Sequence, residues 1–125
     1  MSQELATRDS WQTTPMSSSR VELPIVLRLT LDEFERVKRG NIPEEMEDKW
    51  FVFQEDGWVY FHRSWTGYCI YQLRFDQEGD EAVVREAWVT RDPEHYQNDD
   101  IAEDEQLLRS LLFYRFGIGQ EPTEE

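Results

Sequence analysis

Trp50-Phe51-Val52-Phe53-Gln54-Glu55-Asp56-Gly57-Trp58-Val59-Tyr60-Phe61-His62 reads as two β-rich runs joined at Asp56-Gly57. Asp-Gly between such runs favours a two-residue type I′ turn, because both central residues must adopt positive φ. A two-residue loop then sets the register: Glu55 faces Trp58, Phe53 faces Tyr60, Phe51 faces His62 and Trp50 faces Arg63. Strand side chains alternate between faces. One face therefore carries Phe51, Phe53, Trp58, Tyr60 and His62, and the other Trp50, Val52, Val59, Phe61 and Arg63. Both are apolar, which is unusual for an antiparallel hairpin. One face is expected to pack on helices. The other needs a partner, a ligand or the chain's own tail.

Working outward, a third strand is expected from about Tyr68 to Phe75, a turn at Gln77-Glu78-Gly79-Asp80, and a fourth strand from about Glu81 to Thr90, ended by Asp92-Pro93. Upstream, Val21 to Leu29 is apolar but interrupted by Pro24, which suits an edge strand or an extended lead-in. Thr30 and Glu33 form a capping box, and Leu31, Phe34 and Val37 mark one helical face. Arg36, Lys38 and Arg39 suit the dipole of a helix end, with Gly40 as its stop and Pro43 preventing continuation. These features predict a helix over 31–39. Downstream, Asn98-Asp99-Asp100 caps a final helix, with Asp100 and Glu103 as a second capping box. Its apolar stripe is read as Leu107, Leu108, Leu111, Leu112 and Tyr114 or Arg115, ending at Gly117.

The expected architecture is α+β: an antiparallel three- to four-stranded meander flanked by an N-terminal and a C-terminal helix. Residues 1–20, rich in Ser, Thr and Gln, read as a disordered tail in which Trp11 alone could dock; 21–119 form a single α+β domain, and 120–125 a disordered acidic tail.

The chain has 125 residues with 13 Lys and Arg against 27 Asp and Glu, a net charge of −14. Mean hydropathy is low, at −0.77, yet 14% of residues are aromatic, so large rings must supply the core. Ten of the 17 aromatics lie between Trp50 and Phe75. The charge is uneven: residues 76–125 carry fifteen acids and four bases, whereas 21–75 carry ten and seven. So acidic a chain repels phosphate backbones, which argues against extended nucleic-acid binding. It has no apolar run of about 18 residues, so no membrane helix is expected. The opening residues lack the basic-then-apolar pattern of a secretory leader, and one cysteine, Cys69, permits no internal disulfide. The expectation is a cytoplasmic protein.

The first candidate site is the turn Arg63-Ser64-Trp65-Thr66-Gly67. Arginine offers a planar donor fork for phosphate or carboxylate, turn amides can form an anion nest, and Trp50, Tyr60 and Trp65 offer faces for a flat ring. With His62, these residues (Trp50, Tyr60, His62, Arg63, Ser64, Trp65 and Thr66) could hold a nucleotide-like or other small anion. The same residues suit a purely structural turn, with Arg63 stacked on Trp50 and the hydroxyls bonded to backbone. His62 stands beside Arg63, which would lower its pKa and suit a neutral base. No nucleophile with a partnered acid is identifiable, and Cys69 in a strand reads as a buried thiol. The second candidate is the group His95, Asp99, Asp100, Glu103 and Asp104, whose clustered oxygens could bind Mg²⁺ or Ca²⁺ and whose acids Asp99, Asp100, Glu103 and Asp104 could face a basic partner; helix capping explains the same residues. Its spacing does not match a calcium loop, and no metal, cofactor or catalytic residue is expected.

Lys49-Trp50-Phe51, Asp56-Gly57-Trp58 and His62-Arg63-Ser64-Trp65-Thr66-Gly67, within residues 47–75, resemble a pattern of small uncharacterised bacterial proteins with an Arg-Ser-Trp-Thr-Gly turn. The resemblance implies a bacterial or phage-related cytosolic origin and brings no activity with it.

Three functions follow as expectations. The leading one is a non-enzymatic binding module for a small anionic ligand at the Arg63 turn. The second is an acidic inhibitor or immunity-type protein that neutralises a basic toxin or nuclease, with charge steering the encounter. The third is a hydrolase for a phosphorylated or glycosidic substrate, with His62 as base and Arg63 as clamp. A monomer fits all three; a homodimer through the second aromatic face is the alternative.

Overall fold

The hairpin forms with the expected register. In the computed structural model, which describes residues 5–44 and 48–119, Trp50 pairs with Arg63, Phe51 with His62, Phe53 with Tyr60 and Glu55 with Trp58. Asp56 and Gly57 take φ of 57° and 84°, as a type I′ turn requires. In chain order the elements are β1 (Arg20–Glu22), β2 (Arg28–Thr30), α1 (Leu31–Arg39), β3 (Trp50–Glu55), β4 (Trp58–Arg63), β5 (Cys69–Glu78), β6 (Glu81–Thr90) and α2 (Ile101–Phe116). A single 3-10 turn, Arg8–Ser10, precedes them.

The fold is α+β, with a six-stranded antiparallel sheet in the order β1-β6-β5-β4-β3, and β2 also on β6. The central four strands are the expected meander. The additional two come from the run around Pro24. Proline cannot donate to a ladder, so the run splits: residues 20–22 pair with 88–90 and residues 28–30 with 81–83, both on the outer edge of β6.

Both helices start at the expected N-cap, but only α1 closes a capping box: at α2 the Asp100 amide donates to Asn98 Oδ1 rather than to Glu103. Thr30 Oγ1 accepts from Glu33 N at 3.1 Å, and Thr30 N donates to Glu33 Oε1 at 2.9 Å. Asp100 Oδ1 accepts from Ala102 N and Glu103 N at the start of α2, and Gly117 ends it in the left-handed conformation. The buried face of α2 differs from expectation. It consists of Asp104, Leu108, Leu111, Leu112 and Phe116, while Leu107 and Tyr114 are exposed.

The sheet is covered on both sides. On the first face, Val52, Val59, Phe61, Tyr71, Leu73 and Val89 pack with Val37 of α1 and the buried residues of α2. On the second, Phe51 and Phe53 pack with Ala6, Trp11 and Ile42. Full burial of each of these large side chains is worth about 1.5–3 kcal/mol. The segment read as a disordered tail thus lies on the sheet over residues 5–19. Ala6 is buried and its N donates to Arg39 O; Trp11 Nε1 donates to Ser64 O at 2.8 Å; Thr14 bridges Tyr68. The apolar second face supplies the reason, since bare aromatic rings attract any apolar segment within reach. It also removes the motive for a homodimer through that face. The predicted acidic tail, 120–125, lies outside the described residues. Among the described residues no helix is long and apolar enough to cross a membrane.

Gly40 ties these layers together. Its φ is 75°, and a methyl there would fall inside contact distance of the Val52 carbonyl oxygen and 2.7 Å from Ala6 Cβ. Gly40→Ala should therefore destabilise the protein by about 2–4 kcal/mol, combining backbone strain with a blocked helix–strand contact; urea unfolding monitored by tryptophan fluorescence measures it.

Candidate functional site

The turn between β4 and β5 is closed by its own backbone. Gly67 N donates to Arg63 O at 2.8 Å and Arg63 N to Tyr68 O at 2.9 Å. Ser64 is buried; its N donates to Lys49 O, its Oγ to Asp48 O, and its carbonyl accepts from Trp11 and Gln12. Thr66 Oγ1 accepts from Tyr68 N. The amides of Ser64, Gly67 and Tyr68 are thus spent within the protein, and no nest built on them is left for an anion. Beyond these amides, the turn can offer an anion its side chains.

Those side chains converge. Lys49, Arg63, Trp65, Thr66 and His95 line a cavity of about 300 Å³. The Arg63 guanidinium lies 4.8 Å from the centre of the Trp50 ring and 6.0 Å from that of Tyr96. His95 stacks on Tyr68 with centroids 3.8 Å apart, and its Nε2 is 3.8 Å from Asp92. Its Nδ1 is buried with no hydrogen-bond partner among the described residues. Trp65 is 66% exposed.

Beneath the cavity runs a buried polar chain. Asp104 is fully buried on α2 and receives Arg91 Nη2 at 2.6 Å, Tyr96 Oη at 2.8 Å and Asn98 Nδ2 at 2.8 Å. The Tyr96 hydroxyl lies 3.3 Å from that of Tyr71, whose ring stacks on Trp50. Burial, above all, pushes both tyrosines' pKa values up and keeps them neutral. The chain orients Tyr96 and Trp50, the two rings flanking Arg63.

Of the seven ligand-site residues expected from sequence, Arg63, Trp65 and Thr66 line this cavity and Trp50 supports Arg63. Ser64 is sealed in the turn. Tyr60 and His62 lie on the opposite sheet face and line a different cavity. His62 and Arg63 therefore do not share a site, and a base-and-clamp pairing of the two has no geometry to support it. The His62 pKa is lowered, but mainly by burial, with Arg8 rather than Arg63 as the nearby cation. Cys69 is a buried thiol whose pKa is pushed up to about 12 by burial. Of the expected partner face, Asp99, Asp100 and Glu103 are exposed, but Asp104 is sealed in the core and Asp100 caps its helix. Asp104 cannot meet a partner, because its carboxylate is taken up by Arg91, Tyr96 and Asn98. Among the described residues, no group of three or more His, Cys, Asp or Glu side chains could hold a metal ion.

Lys49 is the cavity residue that the sequence reading did not single out, and His95 was grouped with the acidic residues rather than with this turn. Lys49 was within reach: the Trp50–Arg63 pair puts its neighbour beside the turn. His95 was not, since it arrives from the β6–α2 loop by stacking on Tyr68. The chain matches no known family pattern, no curated protein and no solved structure.

Two outcomes are expected. Asp104→Ala leaves Arg91, only 15% exposed, without its counter-charge, and should cost about 3–5 kcal/mol in urea unfolding. The lowered His62 pKa has a defined sign: below the unfolded value of 6.5 the unfolded chain binds the proton first. Stability should be at full strength above that value and fall as pH drops below it, by at most about 1.4 kcal/mol per pH unit from this group. An NMR titration of the His62 ring, still neutral at pH values where an exposed histidine is charged, checks the cause.

Proposed function

We propose that this protein is a non-enzymatic binding module for a small anionic ligand that carries a flat ring, held in the cavity at the Arg63 turn. The observation that carries this reading is where uncompensated positive charge collects. Nine of the chain's cations, among them Arg28, Arg85 and Arg109, form ion pairs with carboxylates. Among the described residues Arg20, Arg39, Lys49 and Arg63 form none, and of these four Lys49 and Arg63 line one cavity. In a chain of net charge −14, two cations at one cavity with no ion pair among the described residues favour an anion there. The cavity is at the small end of the range for ligand sites, which suits one phosphate or carboxylate and one ring.

The groups divide the work by their chemistry. Arg63, held between Trp50 and Tyr96, presents its fork in a fixed orientation, so less rotamer freedom is lost on binding. Lys49 adds a mobile point charge. Trp65 offers a ring face at the cavity. Thr66 Oγ1, already accepting from Tyr68 N, can still donate to the ligand.

Titration with a panel of nucleoside monophosphates, sugar phosphates and aromatic carboxylates, followed by tryptophan fluorescence, tests the reading. A saturable change is expected for at least one ring-bearing anion, and Arg63→Gln should weaken it by about 10- to 100-fold, the loss of a charge-assisted contact. A flat response across the panel overturns it.

A further inference from the structure

On the sheet face away from Arg63, a cavity of about 240 Å³ lies between the N-terminal segment, at residues 15–16, and the strands. Tyr60, His62, Cys69 and Gln72 line it from the sheet, and Arg8 and Arg20 from the segment and β1. A water molecule fills roughly 30 Å³ of liquid, so the space is far larger than one bridging water needs.

His62 is 1% exposed, and its Nδ1 lies 2.8 Å from Gly67 O. A carbonyl only accepts, so in the neutral ring Nδ1 carries the hydrogen and Nε2 is left as an acceptor. Burial keeps the ring in that neutral form. Nε2 has no hydrogen-bond partner among the described residues. A buried, unanswered acceptor is disfavoured, and a ligand donor reaching it would recover that loss. The β4–β5 ladder shifts register between Phe61 and His62 and sets His62 directly across from Cys69; such shifts re-aim side chains beside binding sites.

The charged wall has one committed and one uncommitted arginine. Arg8 is bound to Glu55 through Nε and Nη2, at 2.9 and 2.6 Å. Arg20 lies over the Trp88 ring at 4.1 Å and has no ion pair among the described residues. The cavity thus offers a cation, an acceptor in need of a donor, and Gln72 and the Tyr60 hydroxyl as further polar contacts.

We propose that this cavity is a second ligand site, for a small hydroxylated anion of the hydroxycarboxylate or polyol-phosphate class, with Arg20 holding the charge and His62 Nε2 accepting from the hydroxyl. Because His62 is 1% exposed, a donor reaches Nε2 only with a small shift of the groups that cover it. The Cys69 thiol, neutral and buried, takes no covalent part.

The test is an NMR titration of the protein labelled with ¹⁵N-histidine, using malate and glycerol 3-phosphate. Succinate serves as the twin of malate without its hydroxyl, and glycerol as the twin without charge. One of the two hydroxylated anions should shift His62 Nε2 saturably, and its twin should bind at least about tenfold more weakly. Which of the two acts distinguishes carboxylate from phosphate. Arg20→Gln, a change at an exposed side chain that spares the core, should weaken the response by about tenfold or more. No His62 shift at millimolar concentrations, equal affinity for the twins, or indifference to Arg20→Gln each overturns the proposal. A loss caused by Arg63→Gln instead would place the anion in the cavity at the turn and overturn it equally.

Discussion

The structure depends on one constraint: the β3–β4 hairpin is apolar on both faces, so both must be kept from water. Helices α1 and α2 meet that demand on one side through Val37, Leu108, Leu111 and Leu112. The other side is met by the N-terminal segment, which brings Ala6 and Trp11 onto Phe51 and Phe53. Both cavities lie where these covers end. One cavity opens beside the turn that closes β4 onto β5, and the other lies under the segment itself. A hairpin with a polar second face would have needed no strap and would have formed no cavity there.

The N-terminal segment also reaches the first cavity. Trp11 and Gln12 donate to the Ser64 and Trp65 carbonyls, and Thr14 N to Gly67 O. Gly67 O receives His62 Nδ1 as well. The shape of the turn that presents Arg63 is therefore set partly from the opposite side of the sheet. From below, the Asp104 chain through Tyr96 and Tyr71 orients the rings flanking Arg63. Arg63 is constrained from two directions by groups distant in sequence.

Charge takes on a different meaning once placed. The excess of acids is concentrated after residue 75, yet the one acidic side chain of α2 that is fully buried, Asp104, belongs to the core. Its position was readable in principle: it precedes Leu108 by four residues and Leu111 by seven, the spacing of one helical face. A reading that places polar residues outside assigns it to the surface, because burial of a carboxylate is favourable only when partners answer it. Those partners, Arg91, Tyr96 and Asn98, come from the loop before the helix. The separation of His62 from Arg63 was legible by the same kind of rule, since neighbouring strand residues point to opposite faces.

What the sequence determined by itself is the set of features governed by short-range rules. The Thr30–Glu33 box bounded α1, Asp56-Gly57 set the hairpin register to the residue, and Asp92-Pro93 ended β6. Each follows from steric and hydrogen-bonding preferences within a few residues, which do not depend on the rest of the chain. Tertiary structure alone decided that residues 5–19 cover the sheet, that the run at Pro24 divides into two edge strands, and that Lys49 and His95 meet at the Arg63 turn. The Trp11–Ser64 contact spans 53 residues. Contacts of that range are chosen by competition among all the apolar surfaces seeking cover, and no local pattern records the winner.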